Sequence, residues 1–140
     1  PANNTFWLID HDPNAEPIQL SFKANLTLDS VWRPDGQALI ASVRGMRDVP
    51  EARLWEVPLV PDADQTATMY MGGIIDAEYP DFPRFSPDGR YLALRSAYAL
   101  KVIDALSGSM VLQISDSLGN MPPVWSPRDY AGESACIATE

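Results

Sequence analysis

A repeated segment constrains the fold of this chain more than any other feature. Residues 30–41 read SVWRPDGQALIA, and residues 83–94 read PRFSPDGRYLAL. A shortened third copy, PVWSPRDY, occupies 123–130. The aromatic residues at the shared position are Trp32, Phe85 and Trp125, so the copies lie 53 and 40 residues apart. This spacing indicates an architecture in which one structural unit recurs along the chain.

Each copy has the chemistry of a β-hairpin. Proline presets φ for a tight turn, Asp is tolerated at the second turn position, and Gly supplies the left-handed residue that follows. The next residues, 37–43 and 90–96, are apolar at several positions on both strand faces. Such runs are typical of strands buried between two neighbouring sheets.

A hydrophobic strand that ends in an acidic residue also occurs three times. Its copies read FWLID, RLWE and LKVID, and they end at Asp10, Glu56 and Asp104. In each case a turn leads to one more predicted strand, at 18–22, 67–70 and 110–114. Four short antiparallel strands in forty-odd residues are the make-up of a β-propeller blade.

The sequence therefore predicts an all-β chain, a β-propeller segment of about three four-stranded antiparallel blades that starts and ends in the middle of a blade. We expect a half blade in 1–24, blades in 25–72 and 73–118, and a half blade in 119–140. The longer spacing implies an insertion of about thirteen residues, which a loop can absorb, and we place it around 44–52.

Prolines and tryptophans fit this arrangement. Pro83 and Pro122-Pro123 fall in the first strand of their units, and proline is tolerated there because that strand has a free edge. The recurring tryptophans are predicted to pack between blades; they are Trp7, Trp32, Trp55 and Trp125.

About three blades do not close a propeller, since known rings have roughly four to eight. Two interpretations stay open. The chain is an arc of a longer propeller, completed by the remainder of that longer chain, or two copies form a homodimer that completes a six-bladed ring. In the second case the half blade of one copy completes that of the other.

The segment FSPDGRYLA at 85–93, followed by LKVID at 100–104, resembles the WD-like repeat of TolB-type β-propellers. The Gly-His and Trp-Asp dipeptides of true WD repeats are absent, and Trp55-Glu56 and Ile103-Asp104 stand in place of the latter. The resemblance covers about residues 25–140. It implies a bacterial protein with a periplasmic or extracellular location, and it leaves the activity open because propellers host many functions.

The charge balance disfavours some partners. The chain has ten Lys and Arg residues against nineteen Asp and Glu, a net charge of −9, and its basic residues are scattered singly. Nucleic acids and anionic membranes are therefore not expected as partners, because both attract clustered basic residues. No stretch approaches the roughly eighteen apolar residues that span a bilayer, so membrane insertion is not expected either.

Asp10, Asp12 and Asn14 place oxygen ligands at alternate positions, as at the start of a calcium loop. The positions that should carry Gly and Glu are Ala15 and Ser21. The same residues suit a surface turn with Asx-type hydrogen bonds, which is the favoured interpretation. No cofactor is predicted.

The sequence offers no complete catalytic set. His11 and Cys136 are the single histidine and the single cysteine, so His11 would have to serve any Ser-His or Cys-His machinery. The segment GESAC at 132–136 resembles a nucleophile elbow around Ser134, but Cys136 stands where Gly is required. A metal-dependent lyase-type propeller would need several histidines that face the channel. We therefore predict that this chain is not itself an enzyme.

Recognition residues are expected where a repeat is interrupted. The predicted interaction loop in the insertion contains Arg44, Met46, Arg47 and Asp48. The predicted function is a non-catalytic propeller module for protein–protein interaction, with a protein as partner. The alternative is the propeller portion of a larger oligopeptidase-type hydrolase whose catalytic domain lies outside this chain.

Overall fold

The computed structural model describes residues 3–73, 75, 77–97, 99–115 and 121–126. These residues form three antiparallel β-sheets, which confirms the predicted all-β class. Sheet 1 contains β1 (Asn3–Leu8) and β2 (Ile18–Lys23). Sheet 2 contains β3 (Leu26–Trp32), β4 (Ala38–Met46), β5 (Val49–Pro58) and β6 (Thr68–Met69). Sheet 3 contains β7 (Pro80–Phe85), β8 (Tyr91–Ser96), β9 (Ala99–Asp104) and β10 (Met110–Ser115).

The strands of each sheet follow one another in chain order, as in a meander. Sheets 1, 2 and 3 lie within the predicted segments 1–24, 25–72 and 73–118. In the predicted last half blade, only 121–126 is described, and no strand forms there. The helical elements of the described chain are short: α1 (Ala63–Thr66) and a 3₁₀ turn (Tyr70–Gly73). None of the described helices is long and apolar enough to cross a membrane.

The two Pro-Asp-Gly turns form as their residues predict. Gly36 and Gly89 have φ angles of 71° and 72°, in the left-handed region. The Gly36 amide donates to the Arg33 carbonyl and the Gly89 amide to the Ser86 carbonyl, both at 2.8 Å. These bonds close tight turns between β3 and β4 and between β7 and β8.

The predicted insertion at 44–52 is largely strand, whereas the sequence predicts a loop there. It does not form a free loop, because β4 and β5 continue through it to nine and ten residues, whereas β8 and β9 have six each. The strands join at a two-residue turn, Arg47–Asp48. Further extra residues lie between β5 and β6, where α1 forms. The insertion is thus divided between a longer hairpin and a helical turn.

Two apolar cores hold the three sheets together. Between sheets 1 and 2, the fully buried side chains include Leu20, Val43, Met46 and Val57. Between sheets 2 and 3, Ile40 and Leu54 meet the apolar side chains of sheet 3; these are Leu92, Leu94 and Ile103. Sheet 2 is therefore covered on both faces, which explains the apolar run in β4.

The three sheets stack in chain order, and each contact joins one face of a sheet to the opposite face of the next sheet. Successive side chains of a strand point to opposite faces, so Leu54 contacts the core with sheet 3 while Trp55 contacts the core with sheet 1. We call the face toward the next sheet in chain order the front face and the opposite one the back face. Ile103, on the back face of sheet 3, packs against the front face of sheet 2.

The tryptophans do not all lie between sheets. Trp55 is buried as predicted, but Trp7 is 58% exposed and Trp32 is half exposed. The prediction of packing between blades is wrong for these two residues in this structure. Trp7 lies on the back face of sheet 1, which none of the described sheets covers.

Polar contacts fix β7 against sheet 2. The Arg84 guanidinium forms an ion pair with Asp29 on β3 at 2.7 Å. The buried Ser42 hydroxyl on β4 donates to the Pro80 carbonyl. Among the described strands, β7 pairs only with β8, so Pro83 lies on an edge strand as expected.

The two glycines of the tight turns provide a test of this packing. A Cβ atom at Gly89 would lie 2.8 Å from Cβ of Pro34, whereas one at Gly36 would meet nothing within 4 Å. Both positions have positive φ, so each substitution by Ala costs about 1 kcal/mol in backbone strain. We expect Gly89→Ala to lower the free energy of unfolding by about 1 kcal/mol more than Gly36→Ala, because it also overpacks the turn. Urea denaturation of both variants measures this difference, and equal losses would contradict the contact between the turns.

Candidate functional site

The predicted calcium turn is an exposed loop between β1 and β2. The Asp12 amide donates to Oδ1 of Asp10 at 2.8 Å, and the Asn14 amide donates to Oδ1 of Asp12 at 3.0 Å. Nδ1 of His11 lies 3.0 Å from Oδ1 of Asp10. These are the hydrogen bonds of Asx-type turns. Within the described parts of the chain, no group of three or more His, Cys, Asp or Glu residues is placed to hold a metal ion.

The predicted interaction loop is the tip of the β4–β5 hairpin. Arg44, Arg47 and Asp48 are exposed there, but the Met46 side chain is fully buried in the core between sheets 1 and 2. The Arg47 guanidinium lies 5.4 Å from the centroid of the Trp55 ring. Met46 therefore stabilises the core and is not available to a partner, and the hairpin presents charged side chains only at these positions. The other candidates, Ser134 and Cys136, lie outside the described residues.

A groove of about 430 Å³ opens between sheets 2 and 3 beside the Pro-Asp-Gly turns. Its polar side chains belong to Arg33, Asp35, Glu56 and Tyr70. Nε and Nη2 of Arg33 contact the two carboxylate oxygens of Asp35 at 2.7 and 2.5 Å. Nη1 of Arg33 contacts Oε1 of Glu56 at 2.6 Å. The guanidinium thus ties the turn after β3 to the end of β5.

These contacts set the electrostatics of the groove. The hydrogen bonds from Arg33, and then the Gln37 amide, hold the pKa of Asp35 below its ordinary value. Burial, and then the Glu56 carboxylate, raises the pKa of the Tyr70 hydroxyl. Arg33 is shared by two carboxylates, which makes the groove a structural junction rather than a site for an anion.

The front face of sheet 3 carries exposed apolar side chains. The strand register places Leu112 beside Val102 and Ala93, and it places Ile114 beside Leu100. Leu112 and Ile114 are 49% and 43% exposed. Every residue of β10 is exposed, although apolar side chains predominate in this strand. Exposure on this face is thus confined to its outer strand, because Val102 and Ala93 are buried.

Trp125 lies at one end of this face. Its Nε1 donates to the Arg84 carbonyl at 2.8 Å, and its ring stacks on Tyr91 with a centroid distance of 6.4 Å. Trp125 is the aromatic residue of the third repeat copy, and Phe85 of the second copy packs likewise against the core on the front face of sheet 2. The third copy therefore continues the stacking, even though 121–126 forms no strand.

The edge formed by β7 is poorly suited to pairing with a further strand. Phe82 has a φ of 49° at an irregularity in the β7–β8 register, and Pro80 and Pro83 lack amide donors. Asp81 accepts the Phe82 amide at 2.8 Å and pairs with Arg95 at 2.9 Å. Such bulged, proline-containing edges resist strand addition. Addition of a further strand to sheet 3 is therefore disfavoured at its β7 edge.

Sequence reasoning had missed this face and placed recognition at the β4–β5 hairpin. The available signal was the run MVLQI at 110–114, whose apolar residues occupy both faces of an outer strand. An outer strand that faces solvent normally alternates with polar residues.

Comparison of the chain with protein-family models, with curated proteins and with solved structures gave no match. The class of the chain is therefore given by its structure alone: the described residues form an all-β protein with three antiparallel sheets.

The junction at Arg33 predicts a measurable titration. Since the pKa of Asp35 is lowered in the folded state, its carboxylate stabilises the fold above the ordinary Asp pKa of about 4. That contribution is lost as the pH falls through the lowered pKa. We expect Arg33→Gln to raise the pKa of Asp35 toward its ordinary value, as followed by NMR titration of the side-chain carboxyl.

Arg44→Gln is the matched control, because Arg44 is an exposed arginine at the far end of β4. It should leave the titration of Asp35 unchanged. The same Asp35 pKa in the wild-type protein and the Arg33 variant would contradict the assigned ion pair.

Proposed function

We propose that this chain is a non-catalytic β-propeller segment that binds protein through the front face of sheet 3. Two observations support the propeller arrangement. One is the order of strands within sheets 2 and 3, and the other is that these sheets approach each other at their first strands. β7 is the strand of sheet 3 nearest to sheet 2, and β3 is its closest neighbour there. First strands that lie close together while the later strands diverge are what blades arranged around an axis require.

One observation carries the binding function: Leu112 and Ile114 of β10 are exposed at the outer side of the front face of sheet 3, whereas Ala93 and Val102 on the same face are buried. Contiguous apolar surface on a folded domain marks a site of interaction. The bulged edge at β7 disfavours strand addition there, so the contact is proposed on the β10 side of the sheet, where Leu112 and Ile114 lie.

The same proposal includes the TolB-type resemblance and, with it, a periplasmic or extracellular location. The alternative, a propeller portion of an oligopeptidase-type hydrolase, requires a catalytic domain outside this chain. No contact among the described residues favours that alternative, so it remains a hypothesis from the sequence.

Site-specific photo-crosslinking tests the proposal. A benzophenone amino acid in place of Leu112 should form covalent adducts with a protein chain, both in the purified protein and in the cell that expresses it. The same amino acid in place of Leu106 is the control, because Leu106 is 93% exposed in the β9–β10 turn and lies off the face. We expect adducts at position 112 in at least tenfold excess over position 106. Equal yields at the two positions would refute binding through this face.

A further inference from the structure

The groove between sheets 2 and 3 has both of its walls within the described chain. Its volume of about 430 Å³ lies in the range of roughly 300–1,000 Å³ that is typical of small-molecule sites. The apolar side chains that line it are those of Pro34, Met71, Phe85 and Leu106. Two carboxylates and one guanidinium also line it, so the formal charge of the groove is −1. An apolar groove with this charge is suited to an organic cation and not to an anion.

The charged residues of the groove depart from the repeat. In the second copy of the turn, Ser86 occupies the position of Arg33 and forms its hydrogen bonds within its own turn. Asp10 and Asp104, at the position of Glu56, accept backbone amides of the turn that follows each. Glu56 is one methylene longer and instead accepts a hydrogen bond from Arg33. Neither residue is what the repeat needs for its turns, and departures from a repeat are where recognition residues are expected.

Glu56 and Tyr70 present polar atoms that lack partners. Glu56 lies on the front face of sheet 2, because it pairs with Ile40, which packs toward sheet 3. Its Oε1 accepts from Arg33, whereas its Oε2 has no hydrogen-bond partner among the described residues. Tyr70 lines the groove and is only 7% exposed, and within the described part of the chain its hydroxyl has no hydrogen-bond partner either. A buried polar group without a partner is costly, so these two atoms mark where a ligand would donate hydrogen bonds.

Aromatic rings supply the surface for the rest of a ligand. Tyr70 and Phe85 both line the groove, and their rings meet edge to face with a centroid distance of 6.4 Å and an interplanar angle of 83°. Aromatic rings attract organic cations and also pack against an apolar body. An inorganic cation would leave these walls unused. The groove therefore fits a ligand that carries its charge at one end and apolar atoms at the other.

We propose that this groove binds a small organic cation, a primary ammonium on an apolar body, whose ammonium donates to Oε2 of Glu56 and to the Tyr70 hydroxyl. Arg33 positions the Glu56 carboxylate through Oε1 and leaves the other oxygen to the ligand. The site goes beyond the proposed function, because it lies beside the Pro-Asp-Gly turns and off the β10 side of sheet 3. For the same reason a free molecule, rather than a side chain of the protein partner, is its ligand.

A pair of probe ligands tests the site. Phenethylamine carries one positive charge at pH 7, and 2-phenylethanol has the same apolar body without the charge. Each is titrated into the ¹⁵N-labelled wild-type protein while the amide resonances are followed. Phenethylamine should shift the amides of Gly89 and Ala105, which line the groove, with a Kd below about 1 mM. 2-Phenylethanol should bind at least tenfold more weakly, since it cannot pair with the carboxylate.

Three variants assign the binding to its residues. Glu56→Gln keeps the size of the side chain and should weaken phenethylamine binding at least tenfold. Tyr70→Phe keeps the ring and should weaken it about threefold through loss of the hydroxyl. Glu51→Gln is the matched control, because Glu51 is an exposed residue of the same strand outside the groove, and its removal changes the net charge equally. Binding by this control should stay within about twofold of wild type.

Equal affinity for the two probes, or no phenethylamine binding up to about 10 mM, would overturn the site. So would an unchanged Kd in the Glu56 variant. The comparison of the two probes uses the wild-type protein alone, so it decides even if a variant fails to fold. Tighter binding of the peptide acetyl-Gly-Lys-Gly-amide than of phenethylamine would assign the groove to a partner chain and overturn the free ligand. None of these outcomes bears on crosslinking at position 112, so the site and the proposed function stand or fall separately.

Discussion

The burial of sheet 2 between two neighbours is the interaction on which the rest of the structure depends. Adjacent residues Leu54 and Trp55 reach two different cores, so β5 buries both of its faces only when a sheet lies on each side. Burial of apolar surface is the dominant favourable contribution to such a stack. Among the described sheets, sheets 1 and 3 each pack against sheet 2 with one face.

Local features of the fold were predictable from the sequence, and features that depend on neighbours were not. Gly36 and Gly89 adopt left-handed φ because the Pro-Asp-Gly turn needs it whatever surrounds the turn. The interrupted repeat predicts an interaction loop that contains Met46, but Met46 is buried because the long hairpin brings it against sheet 1. The exposure of Trp7 likewise depends on whether another sheet precedes it, which no local pattern encodes.

The candidate sites show the same division. The Asx turn at Asp10 and Asp12 follows from residues close in sequence, and it was anticipated. The junction of Arg33 with Glu56 joins the turn after β3 to β5, and no sequence pattern indicates a contact between residues 23 positions apart. The repeat also contributes more than turns, since Gly89 of one turn lies against Pro34 of the equivalent turn. One motif therefore specifies both the hairpin and part of the contact between sheets.

Front-to-back stacking has no intrinsic end, and this has a consequence for the size of any assembly. The angle between successive sheets, rather than the strength of their contact, decides whether growth stops. A rotation that returns to its start gives a finite particle, whereas a small error in that rotation gives a helical filament. A substitution that changes the spacing of the sheets, such as at the contact of Gly89 with Pro34, therefore changes this rotation as well as the stability of the stack.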